Sequence, residues 1–153
     1  MKRIVMILLC GTMFYSASFA QRITMDKVPV LVSRAFNSKF PAATQQSWER
    51  ETLAVYEVNF YNGGKKQSAS YDTSGTWRET ETAIKFDQLP HPVNAAFNKQ
   101  FAGFRIQETL QVETADKGTL YELTINKGKE GYEVLFSAKG EIVKKEAAGE
   151  DEK

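Results

Sequence analysis

The segment LPHPVNAAFNKQF, residues 89–101, restates VPVLVSRAFNSKF, residues 28–40. Pro29 aligns with Pro90, Val32 with Val93, Ala35-Phe36-Asn37 with Ala96-Phe97-Asn98, and Phe40 with Phe101, all at an offset of 61 residues. In each copy the Val, Ala, Phe and Phe fall at i, i+3, i+4 and i+8, which lays one apolar stripe along a short helix. Pro29 suits the first helical position, where its missing N–H costs nothing, and Pro41 stops the helix after Phe40. The second copy opens with Pro90 and Pro92 and closes near Gly103. A helix of about three turns is marginal alone, so each Phe stripe needs a sheet beneath it.

That sheet follows directly. AVYEVNFYN (54–62) alternates Tyr56, Val58 and Phe60 against Glu57, Asn59 and Tyr61, the period of a half-buried strand. Asn62-Gly63-Gly64 supplies a hairpin turn, KQSASYD (66–72) returns, and Asp72-Thr73-Ser74-Gly75 turns the chain again into a strand that begins at Thr76. SWERET (47–52) provides an opening strand. The second copy repeats this order at a new offset. Tyr121-Glu122-Leu123 follows Tyr56-Glu57-Val58 by 65 residues, Gly128 follows Gly63, Phe136 follows Tyr71 and Gly140 follows Gly75. The offset grows at the turn Asp116-Lys117-Gly118, where an insertion is tolerated. Its strands read RIQETLQVET, LYELTINK, GYEVLFS and EIVKK. The expected fold is α+β: tandem αββββ units whose antiparallel sheet carries two short helices on one face. One continuous sheet and two packed sheets both satisfy the pattern.

The ends read differently. MKRIVMILLCGTMFYSASFA (1–20) has a basic start, an apolar run and small residues before Ala20, the grammar of a signal peptide cleaved before Gln21. Cys10, the sole cysteine, lies inside it, so the exported chain has no disulfide and must be held by core burial. Cleavage takes Lys2 and Arg3 from the 20 basic residues and leaves the 19 acidic ones, a net charge of −1. Nothing basic enough for nucleic acid or an anionic membrane remains, and no other segment is apolar enough to span one. The expected organisation is a signal peptide (1–20), unit 1 (25–86), unit 2 (87–145) and a disordered charged tail (146–153). The expected location is the periplasm, cell envelope or exterior.

An export signal followed by tandem (V/L)P-x-x-V-x-x-A-F-x-x-x-F helices and Tyr/Phe-alternating hairpins resembles a known family. Phe40-Pro41, Tyr56-Glu57-Val58 and Tyr71-Asp72-x-x-Gly75-x-Trp77 carry the resemblance in the first unit. Phe101, Tyr121-Glu122-Leu123 and Phe136-Ser137-x-x-Gly140 carry it in the second. The family is that of the PepSY-like exported proteins of Bacteroidetes, also described as β-lactamase-inhibitor-like, and the resemblance spans residues 25–145. It implies helices on one side of an antiparallel sheet and a non-catalytic role. Related PepSY modules restrain peptidases, and the β-lactamase-inhibitor fold binds its enzyme through a concave sheet face. The resemblance supplies no catalytic residue to transfer.

Catalytic chemistry finds little support in the residues. His91, the only histidine, stands between two prolines at a helix start, and one His without Cys does not make a transition-metal site. Gly63-Gly64 lacks the Lys-Ser/Thr and helix of a phosphate loop. Asp72-Thr73-Ser74-Gly75 is turn chemistry, since the twelfth position of a calcium loop would fall on Ala83. Glu49, Glu51, Glu57, Glu79 and Glu81 read as solvated strand faces with Lys and Arg neighbours. Phe36, Phe40, Tyr56, Phe60, Phe97, Phe101 and Phe136 read as core, while Trp48 and Trp77 are open, with Trp77 matching Ile142. The sheet face without helices is polar with a few large side chains, the make-up of a wet protein-binding surface. Its expected contact residues are Glu57, Asn59, Tyr61, Arg78, Glu133 and Leu135. The expected function is therefore a non-enzymatic exported module that binds a protein partner without metal or cofactor. The rival reading is a small-ligand carrier with its ligand between helices and sheet.

Overall fold

The computed structural model describes residues 21–148. The expected signal peptide, with Cys10, and the end of the charged tail lie outside the described residues. Nine strands form one antiparallel sheet in chain order. They are β1 (Gln21–Ile23), β2 (Thr44–Arg50), β3 (Val55–Asn62), β4 (Lys65–Asp72), β5 (Trp77–Ala83), β6 (Arg105–Thr114), β7 (Gly118–Lys127), β8 (Glu130–Ser137) and β9 (Ile142–Ala147). Helix α1 (Val30–Lys39) lies between β1 and β2, and α2 (His91–Gln100) between β5 and β6. The sheet is continuous, because β5 pairs β6 from Glu79↔Thr114 to Ala83↔Leu110.

Both helices cover the same face. Directly opposed residues of paired strands point to one side of a sheet. Tyr56 and Val58 oppose Tyr71 and Ala69, and Ala69 opposes Thr80. Thr80 and Thr82 oppose Glu113 and Gln111, and Gln111 opposes Tyr121, in phase with Leu123 and Ile125. Val32, Phe36 and Phe40 of the first helix pack on Trp48, Val58, Phe60 and Tyr71. Val93, Phe97 and Phe101 of the second pack on Leu123, Ile125, Val134 and Phe136. The rings interlock edge to face. The Phe36 centroid lies 5.0 Å from that of Phe60 and 5.3 Å from that of Trp48, and Phe101 lies 5.8 Å from Phe104 and 6.3 Å from Phe136.

The duplication extends to irregularities. A bulge between Thr44 and Ser47 recurs between Ile106 and Glu108, and one between Ser70 and Tyr71 recurs between Leu135 and Phe136. The turn glycines Gly75 (φ +83°) and Gly140 (φ +82°) press against the helix carbonyls of Leu31 and Pro92, where a Cβ would have no room. Each fourth-strand turn is thereby docked on its own helix. The helix ends match as well: Phe40 N–H donates to the Phe36 carbonyl and Phe101 N–H to that of Phe97, both at 2.8 Å.

Several details differ from the sequence expectation. Pro29 is the cap residue, with φ −55° and ψ 139°, and the helix begins at Val30. The opening strand is Thr44–Arg50, shifted toward the N-terminus, because Pro41 ends the helix early enough for pairing to begin at Thr44. A ninth strand, Gln21–Ile23, extends the sheet beside Arg50–Trp48. Glu146 and Ala147, assigned to a disordered tail, belong to β9 instead. They pair with Glu133 and Tyr132, and Ala148 N–H donates to the Gly131 carbonyl at 2.9 Å. All six residues of β9 are exposed, so backbone pairing with β8 holds this segment, helped by Lys145 Nζ over the Tyr132 ring at 3.7 Å.

Candidate functional site

The helix-free face is the other phase of every strand: Glu57 and Asn59 of β3, Ser68 and Ser70 of β4, Glu79 and Glu81 of β5, Leu110 and Val112 of β6, Leu120 and Glu122 of β7, Glu133 and Leu135 of β8. Residues from seven strands, β3 to β9, line a single groove of about 660 Å³ on this face, so the sheet is concave there. Its floor includes Val112 and Leu120, both buried, and half-buried Leu135. Glu122 stands beside Leu120 and opposite Leu135, and Glu79 and Glu81 flank the floor on β5. A second hollow of about 150 Å³, toward the β3–β4 hairpin, is lined by Asn59, Ser68 and Glu108 and shares Glu81 with the groove.

Four of the carboxylates on this face are half-buried. Burial, followed by repulsion from Glu81, Glu51 and Glu49, pushes the Glu57 carboxyl up to about 7, against one opposing hydrogen bond from Asn59 at 3.1 Å. Burial, followed by repulsion from Glu81, Glu133, Glu79 and Glu108, pushes Glu122 up to about 7 as well. Glu79 and Glu81 are raised by burial too, although Ser68 Oγ donates to Glu81 at 2.9 Å. Removing a carboxylate from water penalises its charged form, and like charges nearby add to that penalty. Glu57 and Glu122 are equivalents in the two units, so the duplication sets two desolvated acids on either side of the central strands. Cations stand at the margins. Arg22 reaches Glu49 at 3.8 Å on the β1 side, and Lys144 reaches Glu146 at 2.8 Å on the β9 side.

Of the six expected contact residues, the fold brings Arg78, Glu133 and Leu135 together on the main groove. Arg78 is the extra residue of the β4–β5 bulge and is exposed at the rim. Asn59 lines the smaller hollow, and Glu57 lies on β3 between the two depressions. Tyr61 is on the same face but apart, at the hairpin end opposite Lys66, and 42% exposed. The expectation that Glu57, Glu79 and Glu81 are solvated is corrected: they are half-buried and repel one another, while the expected basic neighbours are present as Arg22 beside Glu49 and Arg78 and Lys144 near Glu79. Pairing of distant strands, which no local pattern encodes, brings the acids together. The apolar floor was also missed, although Leu120 sits two residues from Glu122 and so shares its polar phase. Trp48 is buried and Trp77 half-buried on the helix side, with Trp77 Nε1 donating to Thr80 at 2.9 Å.

His91 is exposed at the first turn of α2. Asp72 is a turn residue: its Oδ1 accepts from Ser74 and from Thr76 N–H, bonds that hold its carboxyl below the usual carboxylate pKa. Among the described residues no group of three or more His, Cys, Asp or Glu is placed to hold a metal ion, and no helix is long and apolar enough to cross a membrane.

Comparison with known proteins fits this architecture. A crystal structure of a "putative periplasmic" protein from Bacteroides eggerthii superposes with a TM-score of 0.72 at 22% identity, covering 78% of this chain and 88% of that one. A BLIP-like protein from Bacteroides fragilis superposes with a TM-score of 0.67 at 21% identity, covering 77% and 84%. At these identities the likeness is one of fold. No curated protein matches the chain. One family model matches twice, over residues 17–63 and 54–144, in keeping with the duplicated unit seen in the strands and bulges. By that match the chain belongs to the family described as "Putative beta-lactamase-inhibitor-like, PepSY-like".

Proposed function

We propose that this protein is an exported, non-enzymatic binding module of the periplasm or cell envelope that recognises a protein partner through its helix-free face and restrains or modulates an enzyme there. The observation that carries the reading is the groove of about 660 Å³ on an otherwise uncovered sheet face. A concave surface with an apolar floor and a polar rim has the anatomy of a protein interface. The inhibitor-like character of the family agrees with it. Glu57, Asn59, Tyr61, Arg78, Glu133 and Leu135 are the proposed contacts.

One observation argues against a ligand carrier. A ligand between helices and sheet would need space that the interlocked Phe36, Phe40, Phe60 and Trp48 rings fill. Affinity capture from the protein's own envelope tests the reading. A specific partner should be retained by the wild type and by a Val30→Ser/Leu31→Ser control on the exposed side of α1. It should be lost from Tyr61→Ala/Arg78→Ala/Leu135→Ala. Equal retention by the face variant would contradict the proposal.

A further inference from the structure

We infer that the concave face accepts a cationic protein segment, a protruding loop or hairpin that sets Lys or Arg side chains on either side of an apolar residue; this rests on the docking function proposed above. Charge complementarity carries it. Eight carboxylates and three cations line the main groove, while the whole exported chain has a net charge of only −1, so the acidic surplus is concentrated on this surface. Arg78 and Lys117 stand in its lining, and Lys144 is already engaged by Glu146. Among the described residues, Glu79 and Glu122 have no ion pair and no side-chain hydrogen bond. Glu57 and Glu81 have only Asn59 and Ser68.

Half-buried acids held side by side by strand register oppose folding, and Gln or Thr would suit the sheet better if folding were all that mattered. A guanidinium or ammonium group inserted among them would relieve the repulsion and donate charge-assisted hydrogen bonds. The apolar patch of Val112, Leu120 and Leu135 separates a protein segment from a simple polyamine, since it offers a dry seat between the acids. Glu81 on β5 opposes Val112, which opposes Leu120, two residues from Glu122 on β7, so these two acids are about 10 Å apart across the sheet and about 7 Å along it, within reach of two flanking cations of one hairpin.

The test uses a disulfide-closed hairpin peptide displaying Arg-Leu-Lys at its tip, the same peptide with Glu-Leu-Glu, and spermidine, each titrated into the exported chain at pH 8 in low salt. The cationic hairpin should bind saturably, shift the methyl resonances of Val112, Leu120 and Leu135, and weaken as salt rises. Glu81→Gln/Glu122→Gln should weaken it at least tenfold, with folding verified by an undiminished melting temperature. Overturning results are equal binding of the Glu-tipped peptide, equal affinity and mapping for spermidine, shifts confined to the helices, or no binding of the cationic hairpin. If the captured partner still depends on Tyr61, Arg78 and Leu135 after such a result, the docking face stands and only its cationic preference falls.

Discussion

Tyr71 shows how little slack the first unit has. It is fully buried, its hydroxyl has no hydrogen-bond partner among the described residues, and burial pushes its proton affinity up to about 12. The equivalent residue in the second unit is Phe136, which packs in the same layer without the oxygen. Tyr71→Phe is therefore expected to be neutral or to stabilise by up to about 1 kcal/mol in urea unfolding, since the buried hydroxyl forgoes water without compensation. A loss above about 1 kcal/mol would reveal a partner for that oxygen. Phe36, in ring contact with Phe40, Trp48, Phe60 and Tyr71, is the opposite case. Phe36→Ala should cost about 3–5 kcal/mol by the same measurement, through lost burial and the cavity left behind. The sequence announces Phe36 through helical spacing. It is silent about the Tyr71 hydroxyl, because alternation shows which side a residue faces and not whether its polar atom finds a partner.

At the scale of elements, the fourth-strand turns lock each helix to its sheet. Gly63, in the β3–β4 turn, also has positive φ, but a Cβ there would meet open space. Gly63→Ala should therefore cost only the left-handed backbone penalty, about 1–2 kcal/mol. Gly75→Ala and Gly140→Ala add a clash with the helix carbonyls of Leu31 and Pro92, at 2.6 Å for Gly75, and should each lose at least about 1 kcal/mol more in thermal or urea unfolding. Equal losses at all three sites would dissociate turn from helix. Helices and central hairpins were legible because Phe stripes repeat at helical spacing, Tyr-x-Val-x-Phe repeats at two, and Pro and Gly punctuate both. β1 was not legible: three residues beside an apolar run carry no period. The end of β9 was misread for a related reason. Its Lys and Glu side chains are exposed, and only backbone pairing with β8 makes them a strand.

Across the whole molecule, strands β3 to β9 of the nine line a concave face that gathers acids from both units. Glu57 and Glu122 have folded-state pKa values of about 7 against 4.5 for the free side chain. The folded protein thus binds more protons than the unfolded chain between pH 4.5 and 7, so stability is highest at the acidic end of that window and falls as pH rises to 7. Above pH 7 the contribution is flat. The melting temperature should be higher at pH 5 than at pH 8, by about 1–2 kcal/mol in stability for the pair once solvent screening is allowed for. Glu57→Gln/Glu122→Gln should raise the pH 8 value and flatten the slope, and a melting temperature that climbs from pH 5 to 8 would contradict the buried-acid description. The opposite side is occupied by α1 and α2, which leaves this face as the proposed docking surface. The most direct measurement is a methyl NMR titration of the chain from Gln21 with a partner captured through the proposed face. The account predicts that Val55, Val112, Leu120 and Leu135 of the groove lining shift or broaden while Val30 and Leu31, on the outer side of α1, stay in place; perturbation of Val30 and Leu31 with the four groove residues unmoved would contradict it.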